Sequence, residues 1–273
     1  MKKQQCLLQS KTIDTLPEIR VEHVSYSYPN SKKKVFDDIS FVIHPGETVA
    51  IVGENGAGKS TLLKLLCGQY LPTEGDVYIQ GISTKDLNWE EIAALTSAVF
   101  QNYMRYGMTL MENIVISENQ AMGIKKEEDE IYSEKAKKIL NESGFPLGQM
   151  PNGMETMLFR QFGGMDLSGG QWQKIVIARG CFRERNLFFL DEPTASIDPI
   201  EGKNIYGLFH DICRNKTAVI ITHRLASARG ADKIVVLDHH KLSEIGTHEE
   251  LIRKKGVYRK MYLTQKEMYK EKG

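Results

Sequence analysis

Residues 53–61 form a glycine-rich segment of the kind that wraps around phosphate groups. The segment matches the pattern GxxxxGK[ST] and consists of Gly53, Glu54, Asn55, Gly56, Ala57, Gly58, Lys59, Ser60 and Thr61. Glycines let backbone N–H groups turn toward phosphate oxygens, and the N-terminus of a following helix adds positive potential. Lys59 is therefore expected to reach the β and γ phosphates, and Ser60 to ligate Mg²⁺. A chance glycine turn is the alternative, but an apolar strand before the segment and a leucine-rich helix after it favour phosphate binding.

Two carboxylates, Asp191 and Glu192, directly follow the apolar segment Leu187–Leu190. Asp191 at the end of a strand could hold a hydrated Mg²⁺, and Glu192 could polarise a water that attacks a phosphoryl group in line. A surface acidic pair at a strand end is the alternative interpretation. The phosphate-binding segment in the same chain favours the catalytic one.

Short apolar, β-branched segments must position these residues. They lie at 48–52, 187–190, 218–221 and 234–237, and alternate with helical stretches at 60–67, 199–213 and 223–228. Strands that alternate with helices predict a largely parallel sheet of the α/β class. Two earlier β-type runs, at 19–26 and 35–43, are separated by turn residues and predict antiparallel strands.

A third motif, Leu167-Ser168-Gly169-Gly170-Gln171, precedes a helical stretch that continues through Arg179. Alone it would indicate a flexible loop. Between the phosphate-binding segment and the two carboxylates, however, it makes the sequence resemble the ABC ATPase family over about 18–265. The resemblance implies that Ser168, Gly169, Gly170 and the N-terminus of the following helix face a γ-phosphate bound by the opposite subunit. Gln171 completes this signature.

The resemblance also assigns roles to three residues outside these motifs. Gln101 matches the glutamine that touches Mg²⁺ and senses the membrane partner, and His223 matches the switch histidine that contacts the γ-phosphate. Asp198 matches the loop that crosses the dimer interface, although Ile197 stands where the family usually has leucine. The metal ligands implied by the resemblance are Ser60, Gln101 and Asp191.

Tyr28 resembles the aromatic residue that stacks on adenine. Tyr26 is the competing candidate, and a strand tyrosine with one exposed face is the structural alternative. The sequence leaves this choice open.

The resemblance implies an α/β fold: a P-loop NTPase core with a mostly parallel sheet and flanking helices, an antiparallel β subdomain and an inserted helical subdomain. The expected organisation is a polar tail at 1–17, core segments at 18–101 and 180–250, a helical subdomain with the signature at 102–179, and a C-terminal helix at 251–273.

The composition limits the partners and the setting. The 36 Lys and Arg residues nearly balance the 35 Asp and Glu residues, so no strong overall field indicates nucleic acid. The 4 cysteines form no CxxC pair, which favours a reduced cytosolic setting. No apolar run approaches the roughly 18 residues of a spanning helix, so we expect the chain not to cross a bilayer by itself.

Taken with the resemblance, these features predict an ATPase that uses ATP and Mg²⁺. The expected partners are a second ABC ATPase domain, identical or not, in a head-to-tail nucleotide sandwich, and a transmembrane domain or subunit at the cytoplasmic face of the membrane. A tail of the exporter type at 246–258 favours export. The alternative is a non-transport ABC ATPase that acts on nucleic acid or the ribosome, and a small-molecule kinase would leave the signature and His223 unexplained.

Overall fold

In the computed structural model of the chain, the described residues are 16–31, 33–118, 126–192 and 212–270. They form two compact units. The described residues of unit 1 fall within 1–96, 185–192 and 213–273, and those of unit 2 within 97–184 and 193–212.

Strands and helices are mixed along the chain. The strands are β1 (Ile19–Ser27), β2 (Lys34–Ile43), β3 (Thr48–Gly53), β4 (Glu74–Ile79), β5 (Ile82–Ser83), β6 (Thr96–Val99), β7 (Leu187–Asp191), β8 (Thr217–Ile221), β9 (Lys233–Asp238) and β10 (Lys241–Gly246). The described helices are α1 (Lys59–Leu66), α2 (Trp89–Leu95), α3 (Leu110–Val115), α4 (Lys126–Glu142), α5 (Gly169–Phe182), α6 (Leu225–Ala228), α7 (His248–Lys254) and α8 (Val257–Lys270). The α/β class predicted from the sequence is confirmed.

Unit 1 contains two sheets. The first is antiparallel, with the strand order β2-β1-β4-β5. In the second, the strands of unit 1 follow the order β10-β9-β3-β8-β7. There β3 pairs in parallel with β8 and β9, β7 pairs in parallel with β8, and β10 pairs with β9 antiparallel.

The parallel strands of unit 1 are buried on both faces, which explains their unbroken apolar sequences. All five residues of β7 are buried, as are five of the six in β3. Since the strands run the same way, their carboxyl ends meet at one edge, where Gly53, Asp191 and Ile221 end β3, β7 and β8. Asp191 is paired with Ile221 in the ladder, so the residues after β7 and β8 emerge side by side.

Unit 2 is built around α3, α4 and α5. Its apolar core includes the fully or almost fully buried side chains of Leu110, Ile114, Leu140, Trp172 and Phe182. Burial of these apolar side chains stabilises the packing of the three helices.

Four helices start with a capping box, in which the N-cap side chain and the third helical residue exchange hydrogen bonds with each other's backbone N–H groups. The pairs are Asn88 with Glu91, Thr109 with Glu112, Ser168 with Gln171, and Thr247 with Glu250. These short local patterns fix where α2, α3, α5 and α7 begin.

The C-terminal part of unit 1 consists of α7 and α8. Lys255 has a φ of 56° and ends α7 in the left-handed conformation, and α8 begins two residues later. Tyr258 and Leu251 are fully buried in an apolar cluster that also contains Leu225 of α6 and Val236 of β9. Among the described residues, no helix combines the length and the apolar character that a membrane crossing requires.

Candidate functional site

The segment 53–58 joins β3 to α1 in a tight loop. Gly58 at the N-cap of α1 has a φ of 100°, and a Cβ there would lie 2.7 Å from the ring of Phe36. A Cβ on Gly53 would collide with the carbonyl oxygen of Leu237. Both positions therefore require glycine. Among the residues that the structure describes, no side chain caps the N-terminus of α1, so the first N–H groups of this helix can receive an anion.

The remaining residues of the loop differ in exposure. Glu54, Asn55 and Gly56 are exposed, whereas Ala57 and Thr61 are buried. The backbone N–H of Ala57 donates to the carbonyl oxygen of Glu54 at 3.2 Å, which closes the turn.

Lys59 spans the loop. Its Nζ donates to the carbonyl oxygens of Gly53 at 3.0 Å and Glu54 at 3.1 Å, and the residue is 6% exposed. Burial lowers the pKa of Lys59, while the charges of Glu192 and Asp191 oppose that shift. The lysine thus places a partly desolvated ammonium group at the centre of the loop, where a phosphate could replace the two carbonyl oxygens as its partner.

Ser60 and Asp191 lie next to each other. Ser60 Oγ donates to Asp191 Oδ1 at 3.3 Å, and Asp191 is 5% exposed. Burial raises the pKa of Asp191, and the hydrogen bond from Ser60 lowers it. A hard divalent cation that binds together with phosphates takes oxygen ligands from the protein. The hydroxyl of Ser60 and the carboxylate of Asp191 are ligands of this kind.

Glu192 and His223 form a second polar pair at the same sheet edge. His223 Nδ1 lies 3.3 Å from Glu192 Oε2. The backbone N–H of Glu192 donates to the carbonyl oxygen of Ile221 at 3.1 Å, and Glu192 has a φ of 46°. The hydrogen bond from His223 lowers the pKa of Glu192 more than burial raises it. The pair therefore presents an ionised carboxylate beside an imidazole.

Tyr28 and Tyr26 differ sharply in exposure. Tyr28 is 41% exposed and its hydroxyl lies 2.7 Å from Thr61 Oγ1, whereas Tyr26 is 5% exposed and stacks on Tyr70 with ring centroids 5.5 Å apart. Tyr26 and Tyr70 both meet the Tyr28 ring edge to face. Tyr28 is thus the tyrosine with a ring surface open to a ligand.

Unit 2 contains the signature residues at the N-terminus of α5. Ser168 accepts from the backbone N–H of Gln171 at 3.2 Å, and Gln171 Oε1 accepts from the N–H of Ser168 at 2.9 Å. Ser168 and Gly169 are exposed. A Cβ on Gly169 or Gly170 would meet no atom of the described residues within 4 Å, so packing inside this chain does not require glycine there.

The two further predicted site residues are Gln101 and Asp198. Gln101 follows β6 and is exposed in unit 2. Asp198 lies outside the described residues.

Sequence reasoning missed the role of Gln265. Its side-chain amide contacts the backbone at both His223 and Leu225. The available signal was a polar residue in line with Tyr258, Met261 and Tyr262 at helical spacing. In unit 2 it also missed Asn113, which is fully buried and hydrogen-bonded to Arg179.

Comparison with known proteins adds independent findings. Residues 36–195, more than half of the chain, match the family model described as ABC transporter. The subtilin transport ATP-binding protein SpaT of Bacillus subtilis is 38% identical over 250 residues, which cover 91% of this chain and 40% of that protein. An ATP-dependent lipid A-core flippase of Coxiella burnetii is 34% identical over 247 residues, which cover 90% of this chain and 40% of that protein.

A solved structure with the same fold is a bacterial Atm1-family ABC exporter with ATP bound. It superposes with a TM-score of 0.81 at 27% sequence identity and covers 92% of this chain and 42% of that one. The chain thus spans about two fifths of the length of the relatives that it matches.

Proposed function

Because this chain belongs to the ABC transporter family of ATP-binding domains, we propose that it hydrolyses ATP in a head-to-tail dimer and thereby powers export through a transmembrane partner. The resemblance drawn from the signature is confirmed, and the chain is an ATP-binding domain. The observation that carries the proposal is the convergence of three features at one sheet edge of unit 1. They are the Lys59 loop, the Ser60–Asp191 contact and the Glu192–His223 contact.

The chemical step is an in-line displacement at the γ-phosphorus of ATP. Glu192 would accept a proton from the attacking water, whose oxygen bonds to phosphorus while the bond to the β–γ bridging oxygen breaks and ADP leaves. Lys59 would exchange its two carbonyl partners for β- and γ-phosphate oxygens and balance the charge on them. His223 would hold Glu192 in place and reach a γ-phosphate oxygen.

The residues present fit Mg²⁺. The described residues contain no group of three or more His, Cys, Asp or Glu side chains that could hold a metal by themselves. Ser60 and Asp191 supply one hydroxyl and one carboxylate, so the remaining ligands would be nucleotide oxygens, water and, in the family pattern, Gln101. When bound, Mg²⁺ would neutralise charge on the β- and γ-phosphate oxygens.

A second ABC ATPase domain would complete the site. The N-terminus of α5 is exposed at Ser168 and Gly169, and the open space around Gly169 and Gly170 would admit the triphosphate of a facing molecule. Asp198 would lie in the loop that crosses this interface. ATP would then join two surfaces that are incomplete alone, and its hydrolysis would release them because ADP lacks the bridging phosphate.

The transmembrane partner is proposed from the lengths of the relatives. Proteins that align with 90% or more of this chain are about two and a half times as long as the matched region, since that region is 40% of each. We place the domain at the cytoplasmic face of a membrane and assign it to export.

The experiment measures release of phosphate from ATP with Mg²⁺ by the 273-residue chain and by Lys59→Ala. Lys59→Ala should lose most of its ATP affinity, because the variant removes the buried ammonium group that spans the loop. Lys241→Ala, an exposed lysine at the start of β10, is the matched control and should retain parent activity. Parent-level ATP binding by Lys59→Ala would contradict the assignment of the loop.

A further inference from the structure

Gln265, near the end of α8, holds the backbone that carries His223. Its Oε1 accepts from the N–H of Leu225 at 2.7 Å, and its Nε2 donates to the carbonyl oxygen of His223 at 2.7 Å. The side-chain amide of Gln265 thus uses both its donor and its acceptor to bond to one three-residue stretch, 223–225. The bonds join positions 40 and 42 residues apart in the chain.

The start of α6 explains why this stretch needs an outside partner. Leu225 is the first residue of α6, and the N-cap Arg224 makes no side-chain capping bond. The first N–H groups of a helix have no partner within the helix. The N-cap side chain provides no acceptor for the N–H of Leu225, and Gln265 supplies one.

The remainder of α8 is fixed firmly enough to serve as a support. Tyr258 is fully buried, its hydroxyl lies 2.8 Å from His248 Nδ1, and its N–H donates to Glu244 Oε2 at 2.9 Å. Met261 and Tyr262 pack against the same apolar cluster, which also contains Leu225 and Ala228 of α6. Burial of these side chains ties α8 to α6 and to the parallel sheet.

Gln265 stands where the helical pattern calls for an apolar residue. Tyr258, Met261, Tyr262 and Gln265 are at positions i, i+3, i+4 and i+7, which lie on one face of a helix. An apolar side chain there would extend the buried stripe but leave the N–H of Leu225 and the carbonyl oxygen of His223 without these bonds. The polar residue therefore serves the backbone of the His223 segment, not the packing of α8.

We propose that Gln265 is a positioning residue for ATP hydrolysis, acting from α8 to fix the His223 backbone so that the imidazole meets Glu192. The inference rests on the proposed function of His223 and Glu192. The helix α8 then controls the geometry of the Glu192–His223 pair through one side-chain amide, without touching the nucleotide.

The test compares Gln265→Met, Gln265→Glu and Lys266→Met in the full 273-residue chain. Methionine has the length of glutamine but can form neither hydrogen bond. We therefore expect kcat to fall about 10-fold or more, the effect of misplacing a catalytic group by about 1 Å. The KM for ATP should stay within about twofold of the parent value. Glutamate can still accept from Leu225 but, when ionised, cannot donate to His223, so its kcat should lie between those of the parent and Gln265→Met. Lys266 is exposed on the same helix, and Lys266→Met should match the parent.

A second measurement separates this inference from the proposed function. Hydrogen exchange of the Leu225 amide should be faster in Gln265→Met than in the parent and unchanged in Lys266→Met, whether or not the chain hydrolyses ATP. A parent chain without ATPase activity would overturn the proposed function. The exchange rate of the Leu225 amide would then test only whether Gln265 bonds to the 223–225 backbone. An active parent with unchanged kcat in Gln265→Met, or equal losses in Gln265→Met and Lys266→Met, would overturn the positioning role and leave the proposed function intact.

Discussion

The imidazole of His223 lies against the carboxylate of Glu192, with 3.3 Å between Nδ1 and Oε2. The pairing of β7 with β8 brings them together. Asp191 is paired with Ile221, and Glu192 and His223 follow these two residues by one and two positions. The Glu192 side chain is 16% exposed and that of His223 is 44% exposed, so the pair lies at the edge of the protein where a nucleotide can approach. The contact also favours the ionised form of the carboxylate, since it lowers the pKa of Glu192.

Replacing Glu192 with glutamine should separate ATP binding from hydrolysis. The amide has the shape of the carboxylate but cannot accept a proton, so the rate should fall about 100-fold or more, in the range usual for loss of a general base. Phosphate release measures the rate, and retention of labelled ATP measures binding. Size-exclusion chromatography with ATP should show accumulated dimer. Full activity in Glu192→Gln would rule out the general-base role.

The pH dependence of hydrolysis should shift when His223 is removed. A lowered pKa keeps Glu192 ionised, and able to act as a base, at pH values below its ordinary value of 4.5. In His223→Ala the hydrogen bond is lost and burial still raises the pKa, so activity should decline at a higher pH than in the parent. Profiles of kcat/KM, each normalised to its own plateau, check the direction of the shift. A parent and a variant with superimposable acid limbs would contradict the coupling.

The sequence allowed the sheet edge of the site to be predicted because its signals are local. Buried parallel strands are continuous apolar runs, so the polar residues that end them, such as Asp191 and Glu192, are conspicuous in the sequence. The phosphate-binding segment is equally local, since Gly53 and Gly58 are required within one short loop. Residue type and spacing were sufficient to predict where these residues lie in the fold, and their roles in ATP hydrolysis stay predictions.

Other features depend on tertiary contacts that spacing does not encode. Tyr26 lies in β1 and Tyr28 directly follows the end of that strand, so their spacing of two residues does not distinguish them. Packing nevertheless buries Tyr26 against Tyr70 and leaves Tyr28 exposed. The bond from Gln265 to His223 joins residues 42 positions apart and depends on how α8 docks on the sheet. Such contacts follow from the packed structure, so the sequence alone could not supply them.

Unit 2 should lose stability when Arg179 becomes lysine. The guanidinium donates to Asn113 O at 2.7 Å, Asn113 Oδ1 at 3.1 Å and Met104 O at 3.0 Å, and Asn113 is fully buried. One ammonium group cannot match this planar fork, so buried acceptors should be left unpaired at a cost of about 2–3 kcal/mol in the free energy of unfolding.

Denaturant unfolding followed by the fluorescence of Trp172, which is 2% exposed in unit 2, measures this loss. A Trp89→Phe background removes the other tryptophan. Arg160→Lys is the matched control, because that side chain is 83% exposed and its replacement should change stability by less than about 0.5 kcal/mol. Equal effects of the two substitutions would show that the buried bonds of Arg179 contribute no special stability.

Tyr28 should contribute to ATP affinity through its ring and not through its hydroxyl. A base stacked on an aromatic ring gains about 1–3 kcal/mol, so Tyr28→Ala should weaken ATP binding by about 5- to 150-fold. Tyr28→Phe loses only the 2.7 Å contact with Thr61 and should bind ATP within about threefold of the parent.

Inorganic tripolyphosphate distinguishes stacking from a general disturbance of the loop. It carries the phosphates of ATP without the base, so its affinity should be the same in the parent and in Tyr28→Ala if the ring acts on adenine alone. A parallel loss of tripolyphosphate binding would instead mean that Tyr28 supports the loop through Thr61, which lies in the first turn of α1. Because Tyr26 is buried by the stack with Tyr70, Tyr26→Leu, which removes the ring, should leave the affinities for both ligands unchanged. A selective loss of ATP affinity in that variant would transfer the adenine contact to Tyr26.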